Sequence, residues 1–217
     1  MTDRKTRKSK EKNYSKKASF TECLLINLLN QYIDNMEKIV AKNVVGYDIA
    51  YMYSNENRPG TCPICHNTIE KVPDTLYRVP KKKGDMFYTY DNFCIVSENF
   101  KKFCDERGYS HLTFVALTKS IGYYFFMPED IYRLDCIRSG IQFIDKRDCC
   151  GSYDEIIGST LYKASDFSMP TDDFICRSEY YFSSLGTKSP LIIVGLDTAA
   201  EMKAYGLKGM YYNKVLL

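Results

Sequence analysis

Two pairs of cysteines stand out among the nine in this 217-residue chain. Cys62 and Cys65 are separated by two residues. This spacing lets both sulfur atoms face one metal ion at about 2.3 Å, while the N–H groups of the turn stabilise the thiolates. Cys149 and Cys150 are adjacent and precede Gly151 in a second segment typical of a turn. Together the two pairs predict a four-sulfur structural zinc site with Cys62, Cys65, Cys149 and Cys150 as ligands.

Other side chains remain open as ligands in the second half of this site. Cys136, Cys176 and His66 are the reserve candidates, because the spacing of the second pair departs from the usual two residues. Apolar or mixed sequence surrounds the five thiols outside the two pairs and favours small buried side chains for all of them, the two reserve cysteines included; these are Cys23, Cys94, Cys104, Cys136 and Cys176.

The same cysteines fit redox or nucleophilic catalysis poorly. A redox pair normally begins a helix after a strand, whereas the residues that follow Cys65 lead to Pro73 and form a poor helix. A catalytic thiol needs a partner base, and the two histidines, His66 and His111, offer no triad. Phosphate loops, zinc-protease helices and nucleophile elbows are absent from the sequence, so we predict that the protein is not an enzyme.

The charge of the chain is concentrated at its start. Eight basic and two acidic residues lie within residues 1–17, whereas the whole chain has a net charge of +3, so the remaining residues sum to −3. We predict a disordered basic arm over residues 1–18, with contact to nucleic acid through counterion release as the alternative. No apolar run approaches the length of a membrane span and no export signal is visible, which predicts a cytoplasmic protein without a membrane partner.

Residues 19–43 have the pattern of an amphipathic helix. Ser19 and Glu22 have capping-box spacing at its start. Apolar side chains then recur at steps of three and four, at Leu25, Leu29, Tyr32, Met36 and Ile39. This stripe either packs on the protein's own core or forms a seam for a partner helix.

The rest of the chain, residues 44–217, reads as one α+β domain. Val44 to Tyr53 is predicted to be a strand, Ser97 to Arg107 a helix ended by Gly108, and residues 112–117 and 121–126 a hairpin. An offset of 98 residues aligns two segments that each read strand, helix, glycine, strand. We therefore predict two strand–helix–strand units around a mixed sheet, with a knuckle like that of a zinc ribbon.

A colinear series of short motifs resembles the bacterial double-CXXCG family and its relatives among polymorphic-toxin immunity proteins. The resemblance covers about residues 44–217. The motifs that carry it are Cys62-Pro63-Ile64-Cys65, Gly84-Asp85-Met86, Ile95-Val96-Ser97-Glu98, Cys150-Gly151 with Ser152 to Gly158, Asp173 to Ser178, Ser189 to Val194, and Leu207 to Met210.

This resemblance implies a bacterial, non-catalytic protein that binds and neutralises a cognate protein toxin. It maps the first CXXC onto Cys62 and Cys65 and the end of the second onto Cys150 and Gly151. The sequence departs from the family at Arg147, where the other thiol of the second motif is expected. The competing hypothesis is a zinc-ribbon protein that binds nucleic acid through residues 1–17, which lie outside the resemblance together with the helix.

Overall fold

The computed structural model of the protein describes residues 38–54, 58–80 and 83–217. In these residues the chain forms twelve strands, two α-helices and one 3-10 turn. In chain order they are β1 (Ile39–Ile49), β2 (Met86–Thr89), β3 (Cys94–Ser97), α1 (Glu98–Arg107), β4 (Leu112–Ala116), β5 (Tyr123–Pro128), β6 (Ile131–Tyr132), β7 (Gln142–Lys146), β8 (Tyr153–Ile157), β9 (Leu161–Tyr162), β10 (Ile175–Ser184), the 3-10 turn Leu185–Thr187, β11 (Ser189–Val194), α2 (Leu196–Ala204) and β12 (Met210–Leu216).

The strands form a mixed sheet in the order β4-β5-β3-β2-β1-β11-β10-β8-β7. β12 also pairs with β1, β9 pairs with β12, and β6 pairs with β10. β1 is the central strand: it is antiparallel to β11 and β12 and parallel to β2. The chain is thus an α+β protein dominated by its sheet. Neither α-helix in the described residues is long and apolar enough to cross a membrane.

The two predicted strand–helix–strand units are both present. β3, α1 and β4 correspond to β11, α2 and β12 at the offset of 98 residues. Gly108 and Gly206, which follow the two helices, have φ angles of 71° and 85°. This left-handed conformation is the one that glycine adopts most readily after a helix.

The two helices contact each other through side chains that the offset also relates. The rings of Phe103 and Tyr205 pack with centroids 5.2 Å apart, and Arg107 pairs with Glu201 at 2.9 Å. At the offset of 98 residues, Phe103 corresponds to Glu201 and Arg107 corresponds to Tyr205. Each contact therefore joins the same two positions of the repeat, one from each helix. In one contact the two side chains are aromatic rings, and in the other they form an ion pair. Both helices contribute to one hydrophobic core, in which Phe100 and Met202 are fully buried.

The prediction of a helix over residues 19–43 is wrong at its end. Residues 39–43 belong to β1, where Ile39 lies opposite Leu216 of β12. Burial of Ala41 and Val44 in the sheet, with pairing on both sides of β1, outweighs the helical spacing of the apolar residues. The rest of that helix and the arm over residues 1–18 lie outside the described residues, and β1 ends at Ile49 rather than at Tyr53.

Two long connections carry the cysteine pairs, and each of them joins two strands that pair in parallel. The end of β1 pairs in parallel with β2, and β6, which follows β5 after two residues, pairs in parallel with β10. Residues 50–85 connect the first of these parallel pairs, and residues 133–174 connect the second. The fold therefore carries one cysteine pair in each connection.

Candidate metal centre

The first cysteine pair lies in a tight turn between β1 and β2, here called the first knuckle (residues 61–68). An isolated bridge between Thr61 and Thr68 closes its base. The N–H of Cys62 donates to the carbonyl of Asn67 at 2.8 Å, and the N–H of His66 donates to the carbonyl of Cys62 at 2.9 Å. His66 has a φ of 58°, a left-handed conformation that costs a non-glycine residue about 1 kcal/mol.

The second pair lies at the tip of the β7–β8 hairpin, here called the second knuckle (residues 146–153). Lys146 lies opposite Tyr153 at its base. The N–H of Arg147 donates to the carbonyl of Ser152 at 2.7 Å, and the N–H of Gly151 donates to the carbonyl of Arg147 at 2.7 Å. Gly151 has a φ of 69°, so glycine here removes the strain that His66 carries in the first knuckle.

The hydrogen bonds of the two knuckles match residue by residue at a separation of 85 in sequence. Cys65 corresponds to Cys150, and Cys62 corresponds to Arg147. The second knuckle therefore lacks a thiol at its first ligand position, and Cys149, two residues farther along, supplies the fourth sulfur atom.

All four predicted cysteines lie together. The Sγ atoms of Cys62 and Cys149 are 3.8 Å apart, those of Cys65 and Cys150 are 3.5 Å apart, and all four lie within 4.8 Å of one another. Four sulfur atoms placed tetrahedrally at about 2.3 Å from zinc are separated by about 3.8 Å. The cluster can therefore hold a metal ion such as zinc, and all four thiols are free.

The reserve ligands do not belong to this cluster. Cys176 is buried in a hydrophobic cluster against which Cys136 also packs, and His66 contributes a backbone turn rather than a ligand atom. Cys94 and Cys104 are buried in the core shared by the two helices, as predicted for small apolar side chains. Cys23 lies outside the described residues.

Cys65, Cys149 and Cys150 differ in their tendency to ionise. Desolvation opposes ionisation of Cys65, but hydrogen bonds from the backbone and side chain of Asn67 and from neighbouring thiols outweigh it and lower its pKa to about 6. The hydrogen bond to Cys65, with desolvation, raises the pKa of Cys149 to about 12. Desolvation likewise raises the pKa of Cys150. Of these three thiols the protein alone favours ionisation of Cys65, whereas a divalent cation bound by the cluster would stabilise the thiolate of each ligand.

Polar side chains around the sulfur atoms connect the two knuckles. Nδ2 of Asn67 donates to Sγ of Cys65 at 3.4 Å and to Oδ1 of Asp154 at 2.8 Å. Nε of Arg147 donates to both carboxylate oxygens of Asp154, at 2.8 and 3.0 Å. The hydrogen bonds from Arg147 lower the pKa of Asp154, so this carboxylate is charged at neutral pH.

Lys188 binds the second knuckle through its ammonium group. Its side chain is almost fully buried, and Nζ donates to Oγ of Ser152 at 2.6 Å and to the carbonyl of Tyr153. Burial lowers the pKa of Lys188, although the nearby Cys150, Asp154 and Cys65 oppose this effect. No local pattern in the sequence indicates this role of Lys188. Asn67, in contrast, follows Cys65 by two residues, and this closeness to a predicted ligand was the signal that could have indicated it.

A scan of the chain against protein-family models found no match. A search of curated proteins found no similar protein either. The resemblance to the double-CXXCG family therefore stays a prediction.

Proposed function

We propose that the protein binds one structural zinc ion through Cys62, Cys65, Cys149 and Cys150. The observation that supports this most directly is the convergence of four sulfur atoms from two knuckles with matching backbone hydrogen bonds. Thiolates are soft ligands that favour zinc over magnesium or calcium. Four protein ligands leave no open coordination position, which is typical of structural rather than catalytic zinc.

The zinc ion would hold together the two connections that carry the cysteine pairs, residues 50–85 and 133–174. Residues 50–85 contain no strand or helix in their described part. Hydrogen bonds hold this segment to the rest of the chain, such as those from the N–H of Thr68 to the carbonyl of Leu185 at 3.2 Å and from Nζ of Lys71 to the carbonyl of Asp91 at 2.7 Å. Closing a loop of this length costs only slightly more entropy than closing a short one, because the cost rises with the logarithm of loop length. Because the four sulfur atoms come together only in the folded chain, metal binding would add to the free energy of unfolding.

We further propose that the protein is a non-catalytic binding protein that neutralises a cognate bacterial toxin. The support for this is the motif series and three exposed apolar side chains in or next to the first knuckle, here called the apolar patch. Ile64, Ile69 and Leu185 are all exposed, and the carbonyl of Leu185 accepts from the N–H of Thr68 at 3.2 Å. Exposed apolar groups that cluster on a surface are typical of a protein-binding site.

Charge would contribute little to this recognition. Residues 38–217 contain 22 basic and 22 acidic residues, so the acidic excess predicted for the body of the protein lies in residues 18–37. Attraction to a basic toxin through net charge is therefore not expected of the described unit.

The resemblance to immunity proteins implies that the neighbouring gene encodes the toxin. Co-purification with the product of that gene therefore tests the proposed partner. We expect a stable complex that Ile64→Glu weakens at least about tenfold, because a charge in an apolar contact is costly to bury. Ile137→Glu is the matched control, since Ile137 is 93% exposed and Ile64 is 74% exposed. Both variants should keep their zinc. Failure of the neighbouring product to bind the zinc-loaded protein would contradict the immunity function without affecting the metal site.

The alternative function is nucleic-acid binding through residues 1–17. The observation that favours it is the eight basic residues in that segment. Nucleic-acid binding through this segment would not involve the apolar patch. Variants of the basic segment and Ile64→Glu therefore distinguish the two functions.

A further inference from the structure

The second knuckle has no cysteine at its first ligand position, and one of its two sulfur atoms comes from the tip of the turn. Arg147 occupies the position that Cys62 occupies in the first knuckle, and its guanidinium binds Asp154 instead of facing the cluster. Cys149 corresponds by the same register to Ile64, which is 74% exposed. The fourth sulfur atom therefore comes from an exposed position of the turn.

The burial of the four cysteines follows from this shift. Cys62 is 2% exposed, Cys65 and Cys150 are half-buried, and Cys149 is exposed. Cys65 also accepts a hydrogen bond from Nδ2 of Asn67, and such a bond withdraws electron density from sulfur. Cys149 is thus the most accessible sulfur atom of the cluster to a soluble reagent.

We propose that Cys149 is the residue at which peroxides oxidise the zinc centre, and that a disulfide between Cys149 and Cys62 then releases the metal. This inference rests on the zinc site proposed above. The thiolate of Cys149 attacks one oxygen of the peroxide, the O–O bond breaks, and the other oxygen leaves as hydroxide. The product is a sulfenic acid at Cys149.

Cys62 completes the reaction because its sulfur atom lies 3.8 Å from that of Cys149. Its thiolate attacks the sulfenic sulfur, the S–O bond breaks, and hydroxide leaves. The two thiolates together lose two electrons, and the peroxide is reduced to two waters with two protons from solvent. Zinc then retains only Cys65 and Cys150, which is too few ligands for a stable tetrahedral site.

The experiment treats zinc-loaded protein with one equivalent of hydrogen peroxide after its zinc content has been measured. Zinc release is followed with 4-(2-pyridylazo)resorcinol, and the disulfide is identified by mass spectrometry of non-reduced peptides. We expect release to coincide with a Cys62–Cys149 cross-link. A Cys65–Cys150 cross-link formed first would overturn the proposal. Protein that contains no zinc at the start would overturn the zinc site itself, and this outcome is visible before peroxide is added.

A double variant, Arg147→Cys with Cys149→Ser, moves the ligand back to the base of the knuckle. We expect its zinc to be released at least about fivefold more slowly, because the exposed thiolate at residue 149 is gone and the new ligand takes the register position of Cys62. Arg147→Ala is the matched control, since it removes the ion pair with Asp154 but keeps Cys149, and its release should not be slower than that of the wild type. Equal rates in the double variant and the wild type would contradict the proposal.

A second measurement does not depend on any variant. Zinc-loaded wild-type protein is labelled with substoichiometric N-ethylmaleimide, and the modified cysteine is identified by mass spectrometry. Among the four cluster cysteines, Cys149 should carry most of the label. Preferential labelling of Cys65 or Cys150 would contradict the proposal.

Discussion

Oδ1 of Asp154 accepts a hydrogen bond from Nδ2 of Asn67 at 2.8 Å, so a side-chain contact joins the two knuckles besides their sulfur atoms. Asn67 belongs to the first knuckle, and Asp154 follows the second. The same carboxylate binds Arg147, and the same amide donates to Sγ of Cys65. The arrangement orients a metal ligand through its neighbours, as the outer shell of many metal sites does.

Asp154→Ala should therefore weaken zinc binding without removing a ligand. We expect a loss of about 10- to 100-fold in zinc affinity, measured by competition with a chelator. Asp166→Ala is the control, because Asp166 forms an exposed ion pair with Arg133 at 2.8 Å. Such exposed pairs contribute at most about 1 kcal/mol. An unchanged affinity in Asp154→Ala would show that the two knuckles do not need this link.

Lys71 should give the protein a pH-dependent stability. It is 6% exposed, its Nζ donates to the carbonyl of Asp91 at 2.7 Å, and burial lowers its pKa to about 7 despite the charge of Asp91. The unfolded chain, with a lysine pKa of about 10.4, holds this proton more tightly than the folded protein does. Between about pH 7 and pH 10 the unfolded state therefore binds more protons, and the free energy of unfolding rises with pH.

Lys71→Met removes this titration. We expect the slope of the free energy of unfolding against pH to fall by up to about 1 kcal/mol per pH unit between about pH 7 and pH 10, measured by urea denaturation. Lys102→Met, at an exposed lysine in α1 that pairs with Glu106 at 3.6 Å, controls for the loss of one positive charge. A slope identical to that of the wild type in Lys71→Met would exclude the buried ammonium as its source.

Two glycines of the second strand–helix–strand unit should respond differently to alanine. A Cβ atom at Gly195, which precedes α2, would lie 1.8 Å from the carbonyl oxygen of Asp172. We expect Gly195→Ala to cost more than about 3 kcal/mol, because backbone on both sides must move. At Gly206 the space is open and φ is 85°, so Gly206→Ala should cost about 1 kcal/mol of conformational strain. Urea denaturation of both variants measures the difference, and similar losses would contradict the packing around Asp172.

Deletion of residues 1–17 separates the two candidate functions. We expect that the full chain binds neither RNA nor DNA at moderate salt and that the truncated chain still binds its protein partner. Fluorescence anisotropy with labelled oligonucleotides measures the first, and co-purification measures the second. Nucleic-acid binding that disappears with the arm, and that weakens steeply with salt, would favour the alternative function.

Local signals predicted those elements whose start and end are encoded in nearby residues. α1 begins after Ser97, whose Oγ accepts from the N–H of Phe100 at 3.2 Å, and ends before Gly108, as its sequence predicts. The β4–β5 hairpin and the offset of 98 between the two units follow for the same reason. The prediction for the end of the N-terminal helix was wrong because residues 39–43 pair with β12, which lies far along the chain.

The two cysteine turns were predictable because the spacing of residues in a turn is local, whereas the contacts around these turns depend on tertiary structure. Cys62 and Cys65 carry their geometry in four residues, and Gly151 marks the second turn. Lys188 lies directly before β11, distant in sequence from the second knuckle, and nothing near it in the chain indicates that it contacts that knuckle. The order of the strands from β6 to β10 was likewise beyond local reasoning, because two of them have only two residues each.

Zinc K-edge X-ray absorption of protein purified without added metal tests the central claim most directly. The account predicts one zinc per chain with four sulfur ligands at about 2.3 Å. It also predicts that zinc is lost from the Cys62→Ser, Cys65→Ser double variant but kept in Cys136→Ser, since Cys136 lies outside the cluster. Zinc-free protein, or a spectrum with nitrogen or oxygen ligands in place of two or more sulfur atoms, would contradict it.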